Sequence, residues 1–130
     1  MTEPTKPMGS KLPTRTVKPG AKMTFNVYQK KAIETAVYPV TSGLTYPALG
    51  LAGEAGEVAQ VVKRSIRDDG GRITETSKQK LLDELGDCLW YISALAHDAN
   101  ISLQDVANYN LEKLAARKAK KTLHGEGGDR

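Results

Sequence analysis

The chain has 130 residues, of which 39% are hydrophobic and 26% charged, and its formal net charge is +4. This length predicts one modest domain, and the sequence has no apolar run of about 18 residues that could span a membrane. Cys88 is the single cysteine, so an internal disulfide is excluded. Because the amino terminus also lacks the apolar core of a signal peptide, we expect a cytoplasmic protein.

Residues 1–23 are rich in proline and basic side chains and poor in apolar ones. A stretch of this composition cannot bury enough surface to order itself. We therefore predict a flexible basic arm, followed by a domain at residues 24–130. In the alternative interpretation, the arm covers a neighbouring subunit.

Two helices are predicted in the first half of the domain, separated by a loop. The first follows Thr24 and ends near Tyr38, because Pro39 cannot continue it. Pro47 suits the first turn of a helix. The second helix is predicted to start there and to run to about Arg67.

The third helix follows a strong turn signal, the sequence DDGG at residues 68–71. Its first residues are predicted between Thr74 and Ser77, either of which can cap a helix. It is expected to continue to about Ala99, with Asn100 as the carboxy-terminal cap.

The fourth helix is predicted to open at Ser102, because Ser102 and Asp105 resemble a capping box, and to end near Lys121. No alternation of apolar and polar residues indicates a strand. The predicted fold class is therefore all-α, a bundle of four to five helices.

Glycine recurs at every third position of the second helix, at Gly50, Gly53 and Gly56. A glycine inside a helix is unfavourable by up to about 1 kcal/mol relative to alanine. The spacing is therefore expected where another helix backbone, or a ligand, approaches closely.

Two pairs of carboxylates are the strongest functional signal of the chain: Glu54 with Glu57, and Glu84 with Asp87. Residues three apart lie on one face of a helix. If the two helices pack antiparallel, four carboxylates can meet, and they repel unless a cation lies between them. Oxygen ligands of this kind suit Mg²⁺, or alternatively Mn²⁺. Solvated charges at the edge of a helix are the other interpretation.

The fourth helix carries a polar row that suits a polyphosphate. Asn110, Lys113 and Arg117 return to the same helical face, and their amide, ammonium and guanidinium groups can bind phosphate or sugar oxygens. A solvated helix face is the alternative.

Further side chains of the third helix are expected to serve packing. Cys88, Trp90 and Tyr91 lie at helical spacing, which is typical of core residues, although the two aromatic rings could also stack on a base. His97 and His124 have no companions at metal-ligand spacing and are assigned no chemistry.

The segments LGLAGEAGEV and DELGDCLWY carry E-x-x-E followed by E-x-x-D. With these two motifs, the chain resembles the MazG-like nucleotide pyrophosphohydrolases, which belong to the all-α nucleoside triphosphate pyrophosphatase superfamily. The resemblance extends from about Tyr28 to Arg130. The chain departs from the family at Gly53, where many members have a further glutamate.

The resemblance implies Mg²⁺-dependent hydrolysis of a nucleoside or deoxynucleoside triphosphate between the α and β phosphates. The products would be a monophosphate and pyrophosphate, and the role would be control of the nucleotide pool. It also implies a homo-oligomer, a dimer or a tetramer, with sites near subunit interfaces. Neither a membrane nor a nucleic acid is an expected partner.

The resemblance also implies roles for individual residues. Glu54 or Glu57 would orient or deprotonate the attacking water in addition to binding metal with Glu84 and Asp87. Further substrate contacts implied in this way are Lys80, Asn110, Lys113, Arg117 and Arg130, with Gln29 and Thr35 as additional candidates.

Two other functions stay open at this point. One is a nucleotide sensor that lacks activity because of Gly53, and the other is a non-catalytic module that binds nucleic acid or a partner. The basic ends of the chain favour the second, whereas the carboxylates would repel a nucleic-acid backbone.

Overall fold

Four α-helices and one turn of 3₁₀ helix make up residues 22–121, the part of the chain that the computed structural model describes. That range contains no strand, so the predicted all-α class is confirmed. The predicted arm at residues 1–23 lies outside the described residues except for its last two positions. The elements are α1 (Phe25–Ile33), the 3₁₀ helix (Val40–Ser42), α2 (Thr45–Asp69), α3 (Glu75–Asp98) and α4 (Leu103–Ala119).

Three helices begin at the hydroxyl residues that the sequence indicated. The side chains of Thr24, Thr74 and Ser102 each accept a hydrogen bond from the backbone N–H three residues on, at 3.1, 3.2 and 3.0 Å. Each hydroxyl thereby satisfies one of the amide groups that a helix leaves unpaired at its amino end.

Residues with positive φ angles follow the second and third helices. Gly70 has a φ of 63° directly after α2, and Asn100 has a φ of 58° after α3. Both residue types tolerate this left-handed conformation better than most others. The cap residue of α3 is Ala99 rather than the predicted Asn100, which follows it as the left-handed residue.

The predicted end of the first helix was wrong, because α1 stops at Ile33 rather than near Tyr38. The backbone tightens here, since the N–H of Thr35 donates to the Ala32 carbonyl at 3.0 Å. The same carbonyl also accepts from the Thr35 hydroxyl at 2.7 Å and from the Trp90 indole at 3.2 Å. The contact with Trp90 comes from another helix and leaves no signal in the local sequence.

The second helix is longer than predicted and runs to Asp69 instead of Arg67. Asp68 and Asp69 therefore form part of its last turn, and the chain reverses at Gly70 and Gly71. The reversal makes α2 and α3 an antiparallel hairpin, which is the most extensive helix pair of the structure. Helix α1 packs mainly against α3, and α4 contacts α1 and α3 to the same extent.

The hairpin leaves much apolar surface open in the single chain. Among the described residues, the buried apolar side chains are Val61, Ala94, Ala96 and Leu103. By contrast, Leu49 is 70% exposed, Ile66 65% and Leu85 54%. None of the described helices is both long and apolar enough to cross a membrane.

Candidate functional site

Three of the four predicted carboxylates converge where α2 lies against α3. Glu54, Glu84 and Asp87 each place one carboxylate oxygen within 4.8 Å of the others. The spacing of three residues brings Glu84 and Asp87 to one face of α3, and the antiparallel hairpin brings Glu54 opposite them. We call these three residues the carboxylate cluster. Glu54 and Glu84 are half-buried, whereas Asp87 is exposed.

The fourth predicted carboxylate, Glu57, is not part of this convergence but lies close enough to act on it electrostatically. The pKa of Glu54 is raised above its ordinary value by burial and by the negative charges of Asp87, Glu84 and Glu57. A carboxylate whose neighbours are other carboxylates is costly to ionise, and a bound cation would remove that penalty. The donor set therefore fits a hard divalent metal.

The negative charge of the cluster also affects the reactivity of Cys88. Burial and the charges of Glu54, Asp87 and Glu84 raise the pKa of its thiol. A nucleophilic cysteine needs the opposite environment, because the thiolate is the reactive form. This agrees with the prediction that Cys88, which is half-buried, serves packing.

A cleft of about 380 Å³ opens beside the carboxylate cluster. Two carboxylates, Glu54 and Asp87, and four aromatic rings contribute to its lining. We call it the aromatic cleft, and its lining consists of Thr35, Val37, Tyr38, Tyr46, Glu54, Asp87, Trp90 and Tyr91.

The aromatic rings hold one another in defined orientations. Tyr38 and Tyr46 are stacked, with ring centroids 4.8 Å apart and an interplanar angle of 16°. Trp90 and Tyr91 meet edge to face, with centroids 5.1 Å apart at 88°. Both arrangements are favourable for aromatic pairs, so the wall of the cleft is preorganised.

Thr35 is the substrate-side candidate that the structure places in this cleft. Its hydroxyl accepts a hydrogen bond from the Trp90 indole at 2.8 Å. Trp90 and Tyr91 were predicted mainly as core residues, and both instead form part of the cleft wall. Sequence reasoning missed Tyr38 and Tyr46 altogether, because they lie in and after a loop far from the carboxylates along the chain.

Gln29, the other substrate-side candidate, lies on α1 and has a structural role. Its Nε2 donates to the carbonyls of Ser93 at 3.3 Å and Ile101 at 3.1 Å, while its Oε1 accepts from the N–H of Leu103 at 3.0 Å. The side-chain amide thus joins α1 to the junction of α3 and α4. These contacts are already made within the fold, and Gln29 is absent from the lining of the aromatic cleft.

The predicted phosphate-binding residues that the structure describes do not line the aromatic cleft. Lys80 instead borders a second groove with Arg64 near the turn of the hairpin. Asn110 and Lys113 are exposed on α4, and Arg117 is half-buried there. Arg130 and His124 lie outside the described residues. The roles of these side chains stay predictions.

The three glycines of α2 have different surroundings. A Cβ atom at Gly50 would overlap the ring of Tyr91, so this glycine makes room for the cleft wall. Gly53 and Gly56 face open space, with nothing within 4 Å of such a Cβ. The close approach expected from the glycine spacing is therefore found within the described chain at Gly50 alone of the three.

The sequence of the chain is similar to those of known proteins. Residues 45–122 match the MazG nucleotide pyrophosphohydrolase domain. The Gene 37 protein of Mycobacterium phage L5 is 40% identical over 114 residues, which cover 83% of this chain and all of the relative. The uncharacterized protein YvdC of Bacillus subtilis (strain 168) is 36% identical over 72 residues, covering 52% of this chain and 68% of the relative. No solved structure matches the chain.

Proposed function

Because the chain belongs to the MazG nucleotide pyrophosphohydrolase family, we propose that it hydrolyses a nucleoside or deoxynucleoside triphosphate between the α and β phosphates. The products are a monophosphate and pyrophosphate, and the biological role is control of the nucleotide pool. The observation that carries the proposal is the carboxylate cluster, whose oxygens lie within 4.8 Å of one another at the side of a cleft.

Glu54, Glu84 and Asp87 would hold Mg²⁺, with Mn²⁺ as the alternative ion and Glu57 as a further ligand or neighbour. When bound, the metal supplies positive charge that offsets the charge on the phosphates and acidifies a water molecule. Glu54 or Glu57 would orient that water or accept its proton. Glu54 is half-buried beside Glu84 and Asp87, a position that suits either role.

The phosphate chain would be held by basic side chains. Lys80, Lys113, Arg117 and Arg130, with the amide of Asn110, are the proposed contacts. Charged donors of this kind form short, strong hydrogen bonds to phosphate oxygens. Lys80, Lys113 and Arg117 do not line the aromatic cleft, so they would reach a substrate only where it extends beyond the cleft.

We also propose that the protein is a homo-oligomer, a dimer or a tetramer. This is supported by the exposed apolar side chains of the hairpin, among them Leu49, Ile66 and Leu85. It is further supported by Gly53 and Gly56, which lie on α2 with open space around them. A second copy would cover apolar surface and make use of the room at the two glycines.

Product analysis tests the reaction. The purified protein is incubated with the common ribonucleoside and deoxyribonucleoside triphosphates, with Mg²⁺ or with EDTA, and the products are separated by ion-exchange chromatography. The proposal requires monophosphate and pyrophosphate in Mg²⁺ and none in EDTA. Diphosphate and orthophosphate would move the cleaved bond, and metal binding without any turnover would favour a nucleotide sensor.

A further inference from the structure

The connection between α1 and α2 forms part of the wall of the aromatic cleft. Tyr38 lies in this connection, and Tyr46 is in the first turn of α2. Their rings are stacked at 4.8 Å. The position of the connection therefore decides where both rings stand relative to Glu54 and Asp87, which line the same cleft.

Asp98, in the last turn of α3, fixes this connection at two points. Its Oδ2 accepts a hydrogen bond from the Tyr38 hydroxyl at 2.8 Å and another from the backbone N–H of Leu44 at 3.1 Å. Asp98 is half-buried and is not among the residues that line the aromatic cleft. It touches the back of the cleft wall rather than the space inside it.

The second of these bonds is made to an unusual backbone. Leu44 has a φ of 65°, a region that side chains other than glycine rarely adopt. Leu44 is also the cap residue directly before α2, and its side chain supplies no capping hydrogen bond. The hydrogen bond from the Leu44 N–H to Asp98 holds this residue, and with it the start of α2, against the end of α3.

The first bond persists across the physiological pH range. Burial and the hydrogen bond to Asp98 raise the pKa of Tyr38 to about 12. The hydroxyl accordingly keeps its proton and remains a donor to the carboxylate. The ring of Tyr38 also meets Trp90 at right angles, with centroids 6.4 Å apart, which connects it to the other half of the wall.

We propose that Asp98 is a positioning residue that sets the aromatic wall against which the nucleobase of the substrate binds. The inference rests on the proposed function. With the phosphates directed to Glu54 and Asp87, the flat base would lie against the aromatic rings that line the same cleft. Aromatic faces stack on any base, so the spacing of the wall would govern how tightly a base is held.

Steady-state kinetics on four variants test the role of Asp98. Asp98→Ala removes both acceptor bonds, Asp98→Asn can keep them through its amide oxygen, and Tyr38→Phe removes one while retaining the ring. Asp83→Ala is the control, because Asp83 is exposed on the same helix and its hydrogen bond is to Gln79. Circular dichroism checks that each variant is folded. If Asp98→Ala does not fold, the comparison of Tyr38→Phe with the wild type provides the test.

The expected result separates KM from kcat. Asp98→Ala should raise KM by about tenfold, the effect of losing hydrogen bonds of ordinary strength, and should leave kcat within about twofold. The KM of Tyr38→Phe should lie between those of the wild type and Asp98→Ala, while the KM values of Asp98→Asn and Asp83→Ala should resemble that of the wild type. An unchanged KM in Asp98→Ala would overturn the proposal, as would an equal loss in Asp98→Asn.

A binding measurement distinguishes failure of this inference from failure of the proposed reaction. Trp90 is the single tryptophan of the chain and lines the cleft, so its fluorescence reports on the cleft directly. Uncharged nucleosides should change this emission without metal, and more weakly in Asp98→Ala. That result in a protein without turnover would support the role of Asp98 and refute the reaction. Turnover without any change of Trp90 emission on addition of nucleoside or triphosphate would support the reaction and refute the role of Asp98.

Discussion

At the scale of single residues, the carboxylate cluster places function and stability in opposition. In the absence of a cation, the ionised carboxylates of Glu54, Glu84 and Asp87 repel one another. Replacing one of them with a neutral isostere should therefore relieve the fold while removing the metal site. This opposition allows loss of function to be separated from loss of structure.

Asp87→Asn is expected to abolish turnover and Mg²⁺ binding, and also to raise the thermal midpoint of the protein in EDTA, because one negative charge leaves the cluster. Glu57→Gln should likewise abolish turnover with the fold intact. The measurements are kcat and thermal unfolding, with Asp83→Asn on the exposed side of α3 as the matched control. An active Asp87→Asn protein would refute the metal site.

The raised pKa of Glu54 makes metal binding depend on pH. In the folded, metal-free protein, Glu54 keeps its proton at pH values above its ordinary pKa of 4.5. In the unfolded chain the same side chain has already lost its proton at these pH values. Its contribution to stability is therefore greatest below the ordinary pKa and is lost as the pH rises through the raised pKa. Mg²⁺ needs the ionised form and should reverse the trend.

We expect Mg²⁺ to raise the thermal midpoint more at about pH 7.5 than at about pH 5, because protons compete with the metal at the lower pH. Melting curves in EDTA and in saturating Mg²⁺ at both pH values measure this. Glu54→Gln serves as the variant without the titrating group, and it should show little effect of Mg²⁺ at either pH. Equal stabilisation of the wild type at both pH values would contradict the assignment of Glu54.

At the scale of the helix, the contact between Gly50 and Tyr91 joins the hairpin to the cleft. Gly50→Ala should displace the Tyr91 ring, because the added Cβ overlaps it. The free energy of unfolding should fall by about 1–3 kcal/mol, as overpacking does, and Trp90 fluorescence should change because Trp90 packs against Tyr91. Chemical denaturation with fluorescence detection measures both.

The control for this substitution is Gly56→Ala, where a Cβ meets open space in the single chain. Its fluorescence should match the wild type. If Gly50→Ala is as stable as the wild type and retains its emission, the packing of Tyr91 on α2 is not as the structure has it.

The elements were readable from sequence where their determinants are local. Thr24, Thr74 and Ser102 accept hydrogen bonds from residues three positions away, so the helix starts could be predicted from residue type alone. The end of α1 could not, because it coincides with a hydrogen bond from Trp90, 58 residues distant along the chain. Tertiary contacts, which a local pattern does not contain, decided that boundary.

The same distinction applies to the candidate site. The convergence of Glu54, Glu84 and Asp87 followed from two helical spacings and one antiparallel turn, so it could be anticipated. The positions of Tyr38 and Tyr46 depend on Asp98 and on the unusual backbone of Leu44. No periodicity encodes those features, and the aromatic wall appeared only with the structure.

At the scale of the whole molecule, the exposed hairpin predicts self-association. Ile66 is 65% exposed on α2, and Ile66→Lys should leave the single chain folded but weaken an interface on the hairpin. Sedimentation velocity over a range of protein concentrations should show a smaller species for this variant. Val40→Lys is the control, because Val40 is 96% exposed and lies in the 3₁₀ helix, which is not part of the hairpin. A wild-type protein that is monomeric throughout would contradict the proposed assembly.

The position of the cleaved bond is the central claim, and two substrate analogues address it most directly. Using the triphosphate that is turned over fastest, its β,γ-methylene and α,β-methylene analogues are incubated with the wild-type protein and Mg²⁺ and followed by ³¹P NMR. The account predicts that the β,γ-methylene analogue yields monophosphate and methylenebisphosphonate, while the α,β-methylene analogue is inert. Release of orthophosphate from the α,β-methylene analogue, with the β,γ-methylene analogue untouched, would contradict it.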